Sequence, residues 1–251
     1  MEIKRIAHRG FSSEAPENSY SSFVLAAEGD FYGIECDVWK SKDGVFVVSH
    51  DGNMERMCGI DAYIPDMTYD ELKNYPFIRG RKRLSHPPQY LLPLTGYLSI
   101  LRRTQKKMAV IELKMDYTTV ELREIVGLVK QYGLYERTVF ISLYGSVLIR
   151  LKEELAFPTE RLQYVYGAVP ANKFIPINMD LERWLTENRI HLDARHTLVG
   201  RGTVMRLHEA GLKVNVWTVN KREDMRRMLY DVGVDMVTTE YYYECNVSCG
   251  R

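Results

Sequence analysis

Three acidic side chains lie within otherwise apolar runs of the sequence, where carboxylates are unusual. Glu35 and Asp37 stand two residues apart in Gly33–Lys40, and Glu112 stands in Met108–Met115. Residues two apart in a strand project to the same face, so Glu35 and Asp37 share a face. Like charges held together raise each other's pKa, and burying them without a ligand is costly. The pattern predicts one hard cation, Mg²⁺ or Ca²⁺, rather than zinc, which prefers His or Cys ligands.

Two histidines lie beside a charged residue where predicted strands end. His8 precedes Arg9, and His50 precedes Asp51. Imidazole titrates near working pH, so His8 and His50 are predicted to form an acid/base pair. Arg9 and Lys114 would place fixed positive charge beside the cation, which suits an anionic substrate and phosphate above all. The remaining histidines lack such a setting and are predicted to be surface or core residues: His86, His191, His196 and His208.

Ordinary ion pairs, Glu35 with Lys40 and Glu112 with Lys114, are the alternative interpretation of these charges. It is the weaker one, because a charge at the centre of an apolar run such as 110–113 is costly to bury without a ligand.

Short β-rich runs alternate with amphipathic stretches along the whole chain. The predicted strands are Ile3–His8, Gly33–Lys40, Val45–His50, Met108–Met115, Thr138–Tyr144, Leu162–Gly167, Ile190–Ala194, Lys213–Val219 and Met236–Thr239. The predicted helices include Glu17–Glu28, Thr118–Tyr132, Ser146–Leu155, Asp180–Asn188, Thr203–Ala210 and Glu223–Val232. Regular βα alternation predicts a parallel sheet covered by helices.

An α/β fold of the (β/α)₈ TIM-barrel type accounts best for this alternation. Dividing the 251 residues by eight leaves about 31 residues per unit, a natural βα repeat. A doubly wound sheet that binds a dinucleotide would carry Gly-x-Gly-x-x-Gly after its first strand, where this chain has His8-Arg9-Gly10. Active sites of such barrels lie at the carboxyl ends of the strands, where the charged residues described above are found.

One segment, about 51–92, interrupts the alternation. It holds turn residues, a short predicted helix near Tyr69–Asn74 and the basic run 79–83, which we interpret as a solvated loop. We expect residues 1–251 to form a single barrel domain, with this segment inserted over one mouth of the barrel.

Composition excludes several classes of protein. The chain is 45% hydrophobic and 27% charged, as in an ordinary globular protein rather than a disordered one. Its 34 basic and 33 acidic residues leave a net charge of +1, which does not suggest a nucleic-acid partner.

No run approaches the ~18 apolar residues of a membrane span, so a cytoplasmic protein without stable membrane insertion is expected. The four cysteines cannot form a disulfide framework, and Cys245 and Cys249 are predicted to be an incidental pair. Composition does not indicate an oligomeric state.

Six blocks, in order, closely resemble the glycerophosphodiester phosphodiesterase family from residue 5 to about 240. They are His8-Arg9-Gly10 with Pro16-Glu17-Asn18-Ser19, Glu35-x-Asp37-Val38, Val48-x-His50-Asp51, Glu112-x-Lys114, Val216-Trp217-Thr218-Val219-Asn220 and Gly233-Val234-Asp235. The resemblance implies a (β/α)₈ barrel that hydrolyses glycerophosphodiesters to glycerol 3-phosphate and an alcohol, with a small-molecule substrate and a divalent metal.

The resemblance also implies roles for particular residues. It places metal ligands at Glu35, Asp37 and Glu112, acid/base histidines at His8 and His50, and phosphate-contacting cations at Arg9 and Lys114. The inserted segment would cover the substrate. Two roles are open for Trp217: its ring packs on the glycerol or encloses a choline cation of the substrate, or it is an ordinary core residue. Which histidine is the acid, and whether water or a glycerol hydroxyl attacks, stays open at this point.

Two other functions compete with this interpretation. The first is a phospholipase D-like enzyme for lysophospholipids or sphingolipids, which needs an apolar rim. The inserted segment offers Tyr63, Tyr69, Tyr75, Phe77, Tyr90, Leu91 and Leu92 for such a rim. The second is a catalytically silent barrel used for binding, whose mark would be the loss of a metal ligand or histidine.

Overall fold

The computed structural model describes residues 4–168 and 175–242, which contain ten strands and nine α-helices. The strands are β1 Lys4–Ala7, β2 Gly33–Lys40, β3 Phe46–Val48, β4 Leu92–Pro93, β5 Met108–Leu113, β6 Thr138–Ser142, β7 Leu162–Tyr166, β8 His191–Arg195, β9 Val214–Trp217 and β10 Met236–Thr239. The helices are α1 Tyr20–Glu28, α2 Glu55–Cys58, α3 Tyr69–Leu72, α4 Leu94–Arg102, α5 Thr119–Gln131, α6 Gly145–Glu153, α7 Met179–Asn188, α8 Arg201–Glu209 and α9 Arg222–Arg226. Cys245 and Cys249 lie outside the described residues.

Eight of these strands close into a parallel barrel. β1 pairs with both β2 and β10, β2 pairs with β5, and each strand from β5 to β9 pairs with the next one along the chain. Residues on the outer face, such as Leu192 and Ala194 of β8, pack in the main hydrophobic cluster beneath the helices. A second cluster, which includes Ile6, Val110 and Val165, fills the barrel interior. The (β/α)₈ prediction is confirmed.

The run that ends in His50 is not a strand of the barrel. β3 pairs antiparallel with β2, Val48 opposite Val38, and so forms a hairpin with the strand that carries Glu35 and Asp37. Because the hairpin turns back toward the barrel, the Ser49 N–H donates to the carbonyl of Asp37 at 3.0 Å. His50 therefore returns to the level of the carboxylates, although its strand is antiparallel to theirs.

The segment between β3 and β4 packs as a unit against this hairpin. It contains α2, α3 and a hydrophobic cluster of its own, with Trp39 and Val47 of the hairpin on one side. The buried members that the segment itself contributes are Met54, Met57, Cys58, Ala62, Ile64, Leu72, Phe77 and Leu91. The cluster gives the segment a fixed conformation beside the carboxyl ends of the barrel strands.

Helix α4, Leu94–Arg102, was not predicted from the sequence. Four of its side chains, Leu94, Tyr97, Leu98 and Leu101, are fully buried. Its start is difficult to recognise because Pro93 at the N-cap has no capping side chain and Gly96 lies in the first turn.

Among the described residues we find no helix with the length and apolar character needed to cross a membrane.

Candidate active site

Three carboxylates converge at the carboxyl ends of β2 and β5. Although 75 residues separate them along the chain, Asp37 and Glu112 are direct partners in the β2–β5 register. One oxygen from each of Glu35, Asp37 and Glu112 lies within 4.8 Å of the other two. Glu35 and Asp37 are only 3% and 1% exposed, so the cluster is shielded from water. The structure thus brings together the three carboxylates predicted as metal ligands.

The surroundings of this cluster shift the pKa values of Glu35 and Asp37 in opposite directions. Burial, with the charges of its two neighbours, holds the pKa of Glu35 well above its ordinary value. Burial would also raise the pKa of Asp37, but the positive charges of Lys114 and Arg9 hold it far below its usual range. Oε1 of Glu35 is buried and has no hydrogen-bond partner in the described part of the chain. A cation would satisfy that oxygen and relieve the repulsion, so the residues fit a hard divalent metal.

Lys114 lies between two of the carboxylates. Its Nζ is 3.0 Å from Oε1 of Glu112 and 3.3 Å from Oδ1 of Asp37. The Glu112–Lys114 pair of the alternative interpretation therefore exists, but it is part of the cluster. The other proposed pair was wrong, because Lys40 binds Glu121 at 2.9 Å instead.

Arg9 and Asn18 hold the cluster from the β1 side. The Arg9 N–H donates to Oε2 of Glu35 at 2.7 Å, and Nδ2 of Asn18 donates to Oδ2 of Asp37 at 2.8 Å. Both residues have left-handed backbone, with φ of 55° and 51°, a conformation that is uncommon outside glycine. Such backbone concentrates at functional sites, where surrounding contacts compensate for it. Gly10 follows Arg9 at φ 77°, and a Cβ there would approach Oγ of Ser22 to 2.5 Å.

The two predicted histidines have different partners. His8 follows β1, and its Nδ1 lies 3.8 Å from Oε1 of Glu240. Burial and the charge of Arg9 lower the pKa of His8, and Glu240 opposes this shift. His50 is more exposed, and its Nδ1 lies 2.6 Å from Oδ1 of Asp51. Its Nε2 is therefore the ring nitrogen left to act on a ligand.

Arg56, on α2 of the inserted segment, joins the two sides of the site. Its Nε contacts Asp51, and its Nη2 lies 2.7 Å from Oε1 of Glu17. Burial alone would raise the pKa of Asp51, but the hydrogen bonds with His50 and Arg56 lower it to about 2. Sequence reasoning did not single out Arg56. A lone arginine in an irregular segment carries no pattern that could have marked it.

Glu17 and Asn18 could have been found from the sequence, since both belong to the quoted block Pro16-Glu17-Asn18-Ser19. Ser19 caps α1: its Oγ accepts from the N–H of Ser22. The cap fixes where the helix starts, so Glu17 and Asn18 stand just ahead of it. Nη1 of Arg9 binds Oε1 of Glu17 at 2.8 Å.

The basic run 79–83 is largely exposed, as predicted for a solvated loop, but two of its side chains also pair with acidic residues. Arg81 is half exposed, yet its Nη2 lies 3.3 Å from Oε2 of Glu240, the partner of His8. Lys82 pairs with Glu14. The inserted segment therefore touches the surroundings of both histidines.

One pocket brings together both predicted histidines, two of the three carboxylates and both predicted phosphate-binding cations. It is lined by His8, Arg9, Glu35, His50, Glu112, Lys114, Ile141, Val165, Ala168, Asp193, Trp217 and Thr238. Nε1 of Trp217 donates to the carbonyl of Asp193 at 3.3 Å, and the guanidinium of Arg195 lies 5.1 Å from the Trp217 ring centroid. The four histidines predicted to be surface or core residues are not among the lining residues.

A closed parallel barrel with carboxylates, histidines and cations in one pocket at the carboxyl ends of its strands has the architecture of a TIM-barrel enzyme. The model of the glycerophosphoryl diester phosphodiesterase family matches residues 8–243, and the chain belongs to that family.

Individual proteins show the same similarity over nearly the whole chain. A glycerophosphodiester phosphodiesterase of Caldanaerobacter subterraneus subsp. tengcongensis is 28% identical over 248 residues, covering 96% of this chain and 95% of its own. A human lysophospholipase D is 26% identical over 272 residues, covering 95% and 82%. A phosphodiesterase of Oleispira antarctica, solved in complex with the product sn-glycerol-3-phosphate, superposes with a TM-score of 0.80 at 25% identity, covering 95% and 93%.

Proposed function

We propose that this enzyme hydrolyses glycerophosphodiesters to glycerol 3-phosphate and an alcohol, with a divalent metal and two histidines. In the net reaction the oxygen of water becomes bonded to phosphorus, and the bond from phosphorus to the alcohol oxygen breaks. One proton leaves the nucleophile and one reaches the departing alkoxide. The observation that carries the proposal is that His8 and His50 line one pocket with Glu35 and Glu112, whose carboxylates converge with that of Asp37.

Glu35, Asp37 and Glu112 would hold the metal. Mg²⁺ and Ca²⁺ both suit an all-carboxylate set completed by water, so the donor chemistry supports either ion. Bound there, the ion would bind a non-bridging phosphate oxygen and stabilise negative charge as the transition state forms. Lys114 and Arg9 hold the pKa of Asp37 far below its usual range, so this residue would supply a charged ligand.

Two histidines are suited to the two proton transfers. His8 and His50 line the same pocket from the ends of different elements, and each has a carboxylate beside Nδ1. At His50 the carboxylate 2.6 Å from Nδ1 orients the ring and leaves Nε2 for the reacting atoms. At His8 the separation of 3.8 Å is longer than a hydrogen bond, so Glu240 acts on that ring through its charge. Arg9 and Lys114, both largely buried, add fixed positive charge for the phosphate.

We further propose that the inserted segment, about 51–92, covers the substrate within a single catalytic domain of residues 1–251. Arg56 and Arg81 support this proposal, because each reaches from the segment to a carboxylate beside one of the histidines. The segment's cluster and the hairpin behind it would keep that cover in place.

A lysophospholipid substrate is the second candidate, favoured by apolar side chains on the outside of the segment. Tyr63, Ile78, Leu84 and Tyr90 are between 44% and 85% exposed. The predicted rim is nevertheless incomplete, since Phe77 and Leu91 are buried in the segment's own cluster. A catalytically silent barrel is disfavoured, because every predicted ligand and both histidines are retained in the chain. Glu35, Glu112 and the two histidines also line one pocket.

The test is incubation of the purified protein with glycerophosphodiesters and lysophospholipids, with and without EDTA. The readout for the former is glycerol 3-phosphate. Metal-dependent release from the glycerophosphodiesters is expected. Turnover of the lysophospholipids alone would favour the second candidate, and turnover of neither set would support the silent barrel.

A further inference from the structure

A fourth acidic side chain, Asp193, lies in the barrel on the strand across from the carboxylate cluster. Going round the barrel from β2, the strands are β5, β6, β7 and then β8, so β8 is diametrically opposite β2. Asp193 is 2% exposed and lines the same pocket as Glu35 and Glu112. Its Oδ1 is buried and has no hydrogen-bond partner within residues 4–168 and 175–242. An unpartnered buried oxygen at the edge of a ligand pocket is a candidate for binding that ligand.

The neighbours of Asp193 leave this oxygen unsatisfied. Asn215, its direct partner in the β8–β9 register, interacts with the Asp193 carboxyl group and donates from Nδ2 to Oγ1 of Thr238 at 3.0 Å, so Oδ1 of Asp193 gains no partner from it. The pocket wall around Asp193 is apolar, with Val165 and Trp217 among the lining residues. Burial, and secondarily the charge of Glu112, raises the pKa of Asp193 well above its ordinary value, although the hydrogen bond with Asn215 opposes this shift. A neutral carboxyl group can both donate a hydrogen bond and accept one, as a hydroxyl ligand requires.

The proposed substrate offers a matching group. A phosphate bound at the β2–β5 side would let its glycerol unit extend across the pocket toward β8. The terminal hydroxyl is the part of glycerol farthest from phosphorus, and the methylene groups between could pack on the apolar wall. A buried polar group that binds a substrate hydroxyl discriminates strongly against analogues that lack it.

We propose that Asp193 is a specificity residue whose carboxyl group hydrogen-bonds the terminal hydroxyl of the substrate's glycerol unit. This inference rests on the proposed function. It makes the deacylated glycerophosphodiester the preferred substrate, because a terminal hydroxyl esterified to an acyl chain could not donate to Asp193. The glycerol unit, rather than the leaving alcohol, would then lie against the pocket wall formed by β8 and β9.

The experiment compares two substrates that differ in one hydroxyl group. They are glycerophosphoethanolamine and the same diester built on propane-1,2-diol, which lacks only the terminal hydroxyl. The wild-type enzyme is expected to prefer the glycerol compound in kcat/KM by at least about 10-fold. Asp193→Ala should reduce that preference to within about 3-fold by losing activity on the glycerol compound alone, and Asp193→Asn should retain most of it.

Gln163 provides the matched control. It too is a buried polar residue of the barrel, on β7, and its Oε1 has no partner among the residues that the structure describes, but it does not line the pocket. Gln163→Leu should leave the preference between the two substrates unchanged. An equal loss on both substrates in Asp193→Ala would overturn the proposal and show that Asp193 supports the barrel only.

A binding measurement keeps the test decisive if Asp193→Ala does not fold. Calorimetry of the wild-type enzyme with sn-glycerol 3-phosphate and with the phosphate of propane-1,2-diol should show tighter binding of the former by about 10-fold. Equal affinities would overturn the inference. Failure of the proposed function looks different, since the wild-type enzyme would then hydrolyse neither diester.

Discussion

Nη2 of Arg56 lies 2.7 Å from Oε1 of Glu17, although 39 residues separate them along the chain. Arg56 belongs to the inserted segment, and Glu17 stands just ahead of α1. Glu17 in turn binds Arg9, and Arg56 also contacts Asp51, the partner of His50. One side chain of the insertion thus connects the phosphate-binding side of the proposed site with one of its two histidines.

Replacing Arg56 by Gln should lower kcat/KM about 10-fold while the protein stays folded. Loss of a residue that orients a metal ligand typically costs 10- to 100-fold, and Arg56 stands in a comparable relation to His50 through Asp51. Arg56 is about half exposed, so its own contribution to stability is small. Steady-state kinetics and thermal unfolding measure the two effects. Arg103→Gln, at an exposed position after α4, is the control and should match the wild type. Unchanged kinetics in Arg56→Gln would show that the contact is incidental.

Removal of the metal should abolish turnover. EDTA is expected to stop glycerol 3-phosphate release, and Mg²⁺ or Ca²⁺ should restore it. Glu112→Gln removes one carboxylate charge at nearly constant volume, so it should lose metal binding in calorimetry while remaining folded. Glu136→Gln changes an 83% exposed carboxylate and should bind the metal normally. Full activity in excess EDTA would rule out the metal site.

His8→Ala and His50→Ala should each reduce kcat by at least about 100-fold, because general acids and bases typically contribute 10²–10⁴-fold. The double variant should lose much less than the product of the two single losses, since the pair acts as one unit. His208→Ala is the control: that histidine pairs with Asp235 and does not line the pocket. If an alanine variant is folded and metal-loaded and its kcat is close to that of the wild type, the histidine that it replaces has no place in the mechanism.

An activated leaving group should distinguish the two histidines. A p-nitrophenyl phosphodiester needs little help from an acid, because p-nitrophenolate leaves without protonation. It should therefore partly restore activity in the variant that lacks the acid and not in the variant that lacks the base. Equal behaviour of His8→Ala and His50→Ala with this substrate would argue against separate roles.

Glu240→Gln should shift one limb of the pH–rate profile to lower pH. Burial and Arg9 lower the pKa of His8 and Glu240 raises it, so removing the carboxylate charge should lower that pKa further. If His8 is the base, the acidic limb moves; if it is the acid, the alkaline limb moves. The profile of kcat/KM against pH therefore assigns the role of His8. A profile in which neither limb moves would show that Glu240 does not act on His8.

Much of this protein follows from local patterns in its sequence. Regular alternation of apolar strands and amphipathic helices indicates a parallel sheet, because strands buried on both faces must be apolar and must be joined by crossover helices. The chain length and the absence of Gly-x-Gly-x-x-Gly after the first strand favour the barrel over a doubly wound sheet. Glu35, Asp37 and Glu112 stand out for the same reason, since a carboxylate in such a run is costly unless it binds something. His8, at the end of the first strand, is placed correctly by this reasoning.

Tertiary structure alone decided the rest. Val45–His50 could not be recognised as an antiparallel return, because its pattern is that of any short strand and only its pairing with β2 gives its direction. Arg56 carried no signal either, and Asp193, although a carboxylate within the predicted strand Ile190–Ala194, could not be assigned to the pocket from the sequence. One depends on a contact across 39 residues, and the other on β8 lying opposite β2 in the closed barrel. Closure sets these distances: it brings together residues far apart in sequence, while side-chain periodicity specifies only which face of a strand each residue occupies.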